Sequence, residues 1–150
     1  MRPRSAVKVL LLALLLFAVP VSYGAAEESV VVIVNSSNSI ESVSTSYIKK
    51  LYKNRLLKWP SGVPVTLYDL AEEDPVREVF SKAVLGKPSY RVAERWAHLK
   101  ITNQAKNPPF TMKSQSLIIR RVSREKGAIG YVLRGSVKDN SSVRIVSTIR

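Results

Sequence analysis

The stretch Gly127-Ala128-Ile129-Gly130-Tyr131-Val132-Leu133 carries no charge and follows directly on a helical pattern. Ala128 to Leu133 reads as a buried strand. The helix before it starts at Ser114 or Ser116 and runs through Arg124, with Gly127 as the stop. A second apolar run, Val30-Val31-Val32-Ile33-Val34, is β-branched throughout and reads as a strand buried on both faces of a covered sheet. The turn residues Asn35-Ser36-Ser37-Asn38-Ser39 close it. Val143 to Thr148 alternates and reads as a last strand.

Helices fill the interval. Ser44 or Ser46 caps a short one over Thr45 to Tyr52, with Tyr47, Ile48, Leu51 and Tyr52 on one face. Trp59-Pro60-Ser61-Gly62 is a turn, and Val63 to Leu70 a second strand. Asp74-Pro75 opens the clearest helix, Asp74 as N-cap and Pro75 in the first position. Val76, Val79, Phe80, Ala83 and Val84 form its apolar stripe, and Gly86 ends it. Pro88-Ser89 opens another helix to about Leu99, with Val92, Ala93, Trp96 and Leu99 inward. Ile101 to Met112 holds two prolines and no period, so it reads as loop or extended chain. The order is that of an α/β domain with a small mixed sheet flanked by helices.

The N-terminus has a different character. Arg2, Arg4 and Lys8 precede the apolar run Val9 to Val19, then Pro20 and the small residues Ser22, Gly24, Ala25 and Ala26. That order predicts a secretory signal peptide over residues 1–26, cleaved after Gly24 or Ala26. One domain is then expected over 27–150, exported to the periplasm. The chain has no cysteine, which excludes a lipoprotein anchor and any disulfide. Removing Arg2, Arg4 and Lys8 from 24 basic residues leaves 21 against 11 acidic ones, about +10 net. Such a balance favours anionic partners.

Several residues, in order, resemble periplasmic phosphate-binding proteins and their short relatives. They are the Val-rich strand ending in Asn35-Ser36, the segment Tyr47 to Trp59-Pro60-Ser61-Gly62, Val65 to Asp69, Arg77 and Phe80, Leu85-Gly86, Arg95-Trp96, and Gly127 to Val132. The resemblance covers nearly all of the chain after the signal segment. It implies the periplasmic-binding-protein type 2 fold reduced to about one lobe. It also implies a solute-binding role with phosphate as the usual ligand, and a membrane transporter component as partner; a sensor component is expected instead if the basic surface is what binds, and no cofactor is expected. Two lobes normally enclose the ligand, so either a second chain or a homodimer completes the enclosure, or the ligand site is a different and more open one.

Members of that family hold phosphate with hydroxyls and amides, including a Ser-Gly-Thr at a helix N-terminus, where unpaired N–H groups and the helix dipole favour an anion. Here the matching segment is Glu72-Glu73-Asp74-Pro75-Val76-Arg77, with no Ser-Gly-Thr. The candidate ligand-binding residues are therefore Ser36 and Ser37 after the first strand, Asp69 at the end of the second, Arg77 in the first helical turn, and Tyr131. Asp69 is a candidate acceptor for a proton on the ligand. The other four have ordinary alternatives: a turn for the serines, core packing for Tyr131, and an ion pair with Glu73 or Asp74 for Arg77.

Lys49, Lys50, Lys53, Arg55 and Lys58 form a basic cluster, readable as a solvated face or as a patch for an acidic protein or polymer. Export argues against nucleic acid, and Tyr47, Tyr52 and Trp59 read as core. No enzyme is indicated: His98 is the single histidine, and neither a nucleophile elbow nor metal-ligand spacing is present.

Overall fold

The computed structural model of the chain describes residues 28–139 and 142–150; the expected signal peptide lies outside them. Five strands form one mixed sheet: β1 (Val30–Asn35), β2 (Thr66–Leu70), β3 (Phe110–Met112), β4 (Ala128–Leu133) and β5 (Val143–Thr148), in the order β3-β2-β4-β1-β5. β2 runs parallel to β3 and β4, and β1 runs antiparallel to β4 and β5. Four helices flank it: α1 (Thr45–Tyr52), α2 (Pro75–Phe80, continuing as a π-helical turn over Ser81–Leu85), α3 (Ser89–Ile101) and α4 (Gln115–Arg124).

The sheet is covered on both faces. Ile118 and Val122 of α4 pack against Gly130 on one side. Tyr52 of α1 and Phe80 of α2 pack against Tyr131 on the other. That is why β1 has no polar face: all six of its residues are buried. The helix starts follow the expected chemistry. Ser44, Asp74 and Ser114 each accept a backbone N–H of their helix through the side chain, at 3.1, 2.8 and 3.3 Å.

One expectation is corrected and two are refined. The segment read as loop or extended chain over Ile101 to Met112 contains β3, a three-residue edge strand paired to Tyr68–Leu70; so short a strand beside two prolines shows no periodicity. The α2 stripe is turned. Val79 is 50% exposed, while Arg77, Ser81 and Leu85 are buried beside Val76, Phe80 and Val84. These inward pairs recur every four residues, which overshoots an α-helical turn by about 40°. The wider π turn at Ser81–Leu85 takes up the overshoot and keeps one face on the sheet. Gly127, the expected stop, lies two residues beyond the C-cap Glu125, where the chain is already extended. Its glycine is needed for space: a Cβ there would lie 2.0 Å from the carbonyl oxygen of Pro64.

Candidate functional site

β2 lies beside β4 with Thr66 opposite Ala128 and Leu67 opposite Ile129. Carried on by two residues, that register sets Asp69 beside Tyr131 on the same face of the sheet. The chain then turns at Ala71–Asp74 into α2, whose first turn brings Arg77 back over the strand end. The result is a buried polar cluster. Arg77 Nη2 pairs with Asp69 Oδ2 at 3.0 Å, and Arg77 Nη1 donates to the Leu70 carbonyl at 2.8 Å. The Tyr131 hydroxyl donates to Asp69 Oδ1, and the Leu70 amide donates to that same oxygen at 3.1 Å. Phe80 stacks on the Tyr131 ring, centroids 3.8 Å apart and 5° from parallel. Tyr52 meets Phe80 edge-on and donates its hydroxyl to the Tyr68 carbonyl at 2.7 Å.

Arg77 is thus paired with neither Glu73 nor Asp74, the partners that helix spacing suggests. Asp69 reaches it across the strand-to-helix turn, and burial of both makes the pairing obligatory. Burial is the largest influence on the Asp69 carboxyl and pushes it above the usual range. Arg77, Tyr131 and the Leu70 amide pull it back part of the way. Burial and the neighbouring carboxylate together hold the Tyr131 hydroxyl protonated. Two capacities remain. Arg77 Nε is buried with no hydrogen-bond partner. An ionised carboxylate offers about four acceptor positions, and three at Asp69 are taken.

Asp69 and Arg77 line a cavity of about 410 Å³ with Ala71, Glu72, Glu73, Trp96, Lys100 and Thr111. The N-terminus of α2 is not free to hold an anion. Asp74 already accepts the Val76 N–H, and Pro75 has none to offer. Ser36 and Ser37 are not brought to this cluster. β1 is antiparallel to β4, so Asp69 stands level with Val32, and Ser36 lies roughly 13 Å further along the sheet. There the Ser37 hydroxyl and amide both donate to Asn35 Oδ1, at 2.6 and 2.9 Å, closing a turn.

The basic cluster also divides. Lys53 and Arg55 line a second cavity, of about 430 Å³, while exposed Lys49, Lys50 and Lys58 do not. Lys87, Arg91, Arg95 and Lys106 join the first two. Sequence reasoning missed this convergence because the six cations come from three separate segments. Tyr52 and Trp59 are core residues, as expected. Among the described residues no group of three or more His, Cys, Asp or Glu is placed to hold a metal ion.

The fold has solved counterparts. A phosphate ABC transporter substrate-binding protein from Clostridium perfringens, determined with bound phosphate, superposes with a TM-score of 0.62 at 18% identity, over 79% of this chain and 44% of that one. The chain has the fold of one lobe of such a protein. An ABC-type phosphate transport receptor from Vibrio cholerae gives 0.62 at 15% identity, over 79% and 45%. PstS from Borrelia burgdorferi gives 0.63 at 14% identity, over 79% and 46%. The chain therefore spans less than half the length of the solved proteins it matches. No protein-family model matches it, and no curated protein does. No helix among the described residues is long and apolar enough to cross a membrane.

Proposed function

We propose that this chain is an exported, non-enzymatic solute-binding protein that takes a small oxyanion, such as phosphate, into the cavity at the end of β2. The observation that carries the reading is the pairing of leftover capacities there. Arg77 keeps an unpartnered N–H, and Asp69 keeps one free acceptor position, in side chains that line the same cavity. A donor beside an acceptor suits an oxyanion that still carries a proton. The place also agrees with the rule that α/β sheets bind ligands beyond the carboxyl ends of their strands. The likeness to transporter substrate-binding proteins, one of them holding phosphate, supports a binding role over a catalytic one.

Glu72 and Glu73 at the rim set the charge state. Two like charges about 4 Å apart repel by roughly 4 kcal/mol at an effective dielectric of 20. A singly charged, protonated oxyanion is therefore preferred over a dianion. The described residues build one lobe, so the proposal includes a second chain, a transporter or sensor component or another copy, closing over the open side.

Titration calorimetry on the exported form tests this. Phosphate is expected to bind more tightly at pH 6 than at pH 8, and sulfate to give no heat. Lys100→Met, at the cavity wall, is expected to weaken phosphate without unfolding the protein. No phosphate heat at either pH, or equal sulfate and phosphate affinity, overturns the reading.

A further inference from the structure

The second cavity is chemically unlike the first. Its charged lining is Lys53, Arg55, Lys87, Arg91, Arg95 and Lys106, with no carboxylate among the lining residues. Among the described residues only Arg91 of these six has an acidic partner, Glu94 at 3.1 Å. Its apolar and aromatic lining is Tyr52, Leu85, Val92, Trp96 and Leu99. A concave, low-dielectric wall concentrates the field of such a cluster on whatever enters. Lys53 registers the crowding: partial burial, then Lys49, Arg55, Arg95 and Lys87, make its ammonium easier to deprotonate.

The cations are also held in place. Asn54, between Lys53 and Arg55, adopts φ 55°, uncommon for a residue other than glycine. Its side chain donates to the Asn107 carbonyl at 2.8 Å and accepts the Asn107 amide at 2.7 Å. Asn107 in turn donates to the Val65 carbonyl at 2.8 Å. The turn bearing Lys53 and Arg55 is thereby clamped to the segment bearing Lys106. Arg91 and Arg95 of the same lining stand one turn apart on α3. Like charges so arranged destabilise the free protein, and a polyanion relieves them.

We propose that this cleft is a binding site for a small soluble oligophosphate, a ligand with two or more linked phosphate groups. Near neutral pH a single phosphate carries about −1.5 to −2 and would offset fewer than half of the five cations that have no acidic partner. The lining differs from that of the Arg77 cavity at every residue but Trp96, which lines both.

The experiment is calorimetry of the exported form with tripolyphosphate, pyrophosphate and orthophosphate, at low and moderate salt. Tripolyphosphate is expected to bind most tightly and to saturate at one per chain. Lys53→Gln with Arg95→Gln is expected to weaken it about tenfold or more, the loss of charge-assisted contacts. Asn54→Ala, a positioning change, is expected to weaken it without altering charge. Arg120→Gln with Arg124→Gln removes the same charge from α4 and is expected to change affinity less than about twofold, through screened long-range attraction. An equal loss in that control pair would reduce the effect to bulk charge and overturn the proposal. So would binding to vesicles of acidic phospholipid with no saturable tripolyphosphate binding.

Discussion

Arg77 Nη2 lies 3.0 Å from Asp69 Oδ2, and both side chains are more than nine-tenths buried. The pair ties the end of β2 to the first turn of α2. Desolvation of two charges offsets most of their attraction, but removing one partner leaves the other uncompensated in the core. Arg77→Met alone and Asp69→Leu alone are each expected to destabilise by about 3–5 kcal/mol. The double variant is expected to recover most of that loss, in urea unfolding followed by circular dichroism. Additive losses in the double variant would refute strong coupling.

Asp69 also sets a pH dependence. Its folded carboxyl titrates above the unfolded value of 3.8, chiefly because it is buried. The folded state therefore holds its proton longer than the unfolded state does. The resulting stability is present below 3.8 and is lost as pH rises through the folded value. Relative to Asp69→Asn, the wild type is expected to lose stability across that window, measured as the difference between their pH–stability curves. A difference that grows with pH would contradict the direction.

Glu78 works in the opposite sense. It accepts the Ser89 amide at 2.8 Å, serving as a remote cap for α3, whose own N-cap is the non-capping Pro88. It also pairs with Lys82 at 2.8 Å. Hydrogen bonding to Lys82, then to Ser89, lowers its carboxyl from 4.5 to about 2. A depressed folded value gives stability that is present above 4.5 and lost as pH falls through about 2. Glu78→Gln is expected to flatten that acid limb, read as midpoint temperature between pH 5 and pH 2.

Two glycines differ in what they exclude. A Cβ at Gly127 would sit 2.0 Å from the Pro64 carbonyl oxygen, which is backbone. One at Gly130 would sit 2.5 Å from Ile118 Cγ2, a side-chain methyl that can shift. Gly130→Ala is expected to cost about 1–3 kcal/mol, and Gly127→Ala more than that. Gly127 also accepts from the Trp59 indole at 2.9 Å, so its displacement should change tryptophan fluorescence. The reverse order of cost would show that β4 moves more freely than its packing suggests.

How far such features were legible depends on how local their causes are. The strand at Ala128–Leu133, the helix at Thr45–Tyr52 and the cap at Asp74 rest on neighbouring residues, and the structure has them at those positions. Edge strand β3 was not legible, because its hydrogen bonds come from β2 and not from its own pattern. Among the candidate site residues, Asp69, Arg77 and Tyr131 converge, while Ser36 and Ser37 lie elsewhere. The difference is strand direction: following a strand end is a local property, but which end of the sheet it reaches is set by the antiparallel pairing of β1 with β4.

The sequence by itself determined the α/β class, the buried character of β1 and β4, most element positions and the excess of positive charge, since propensity, capping and composition act over a few residues. Only the tertiary structure decided which charges meet. Asp69 rather than Glu73 or Asp74 takes Arg77, and Lys53 and Arg55 leave their sequence cluster to face Lys87, Arg91, Arg95 and Lys106. Pairing of charges is settled by burial and by distances between segments far apart in the chain, and local sequence carries neither.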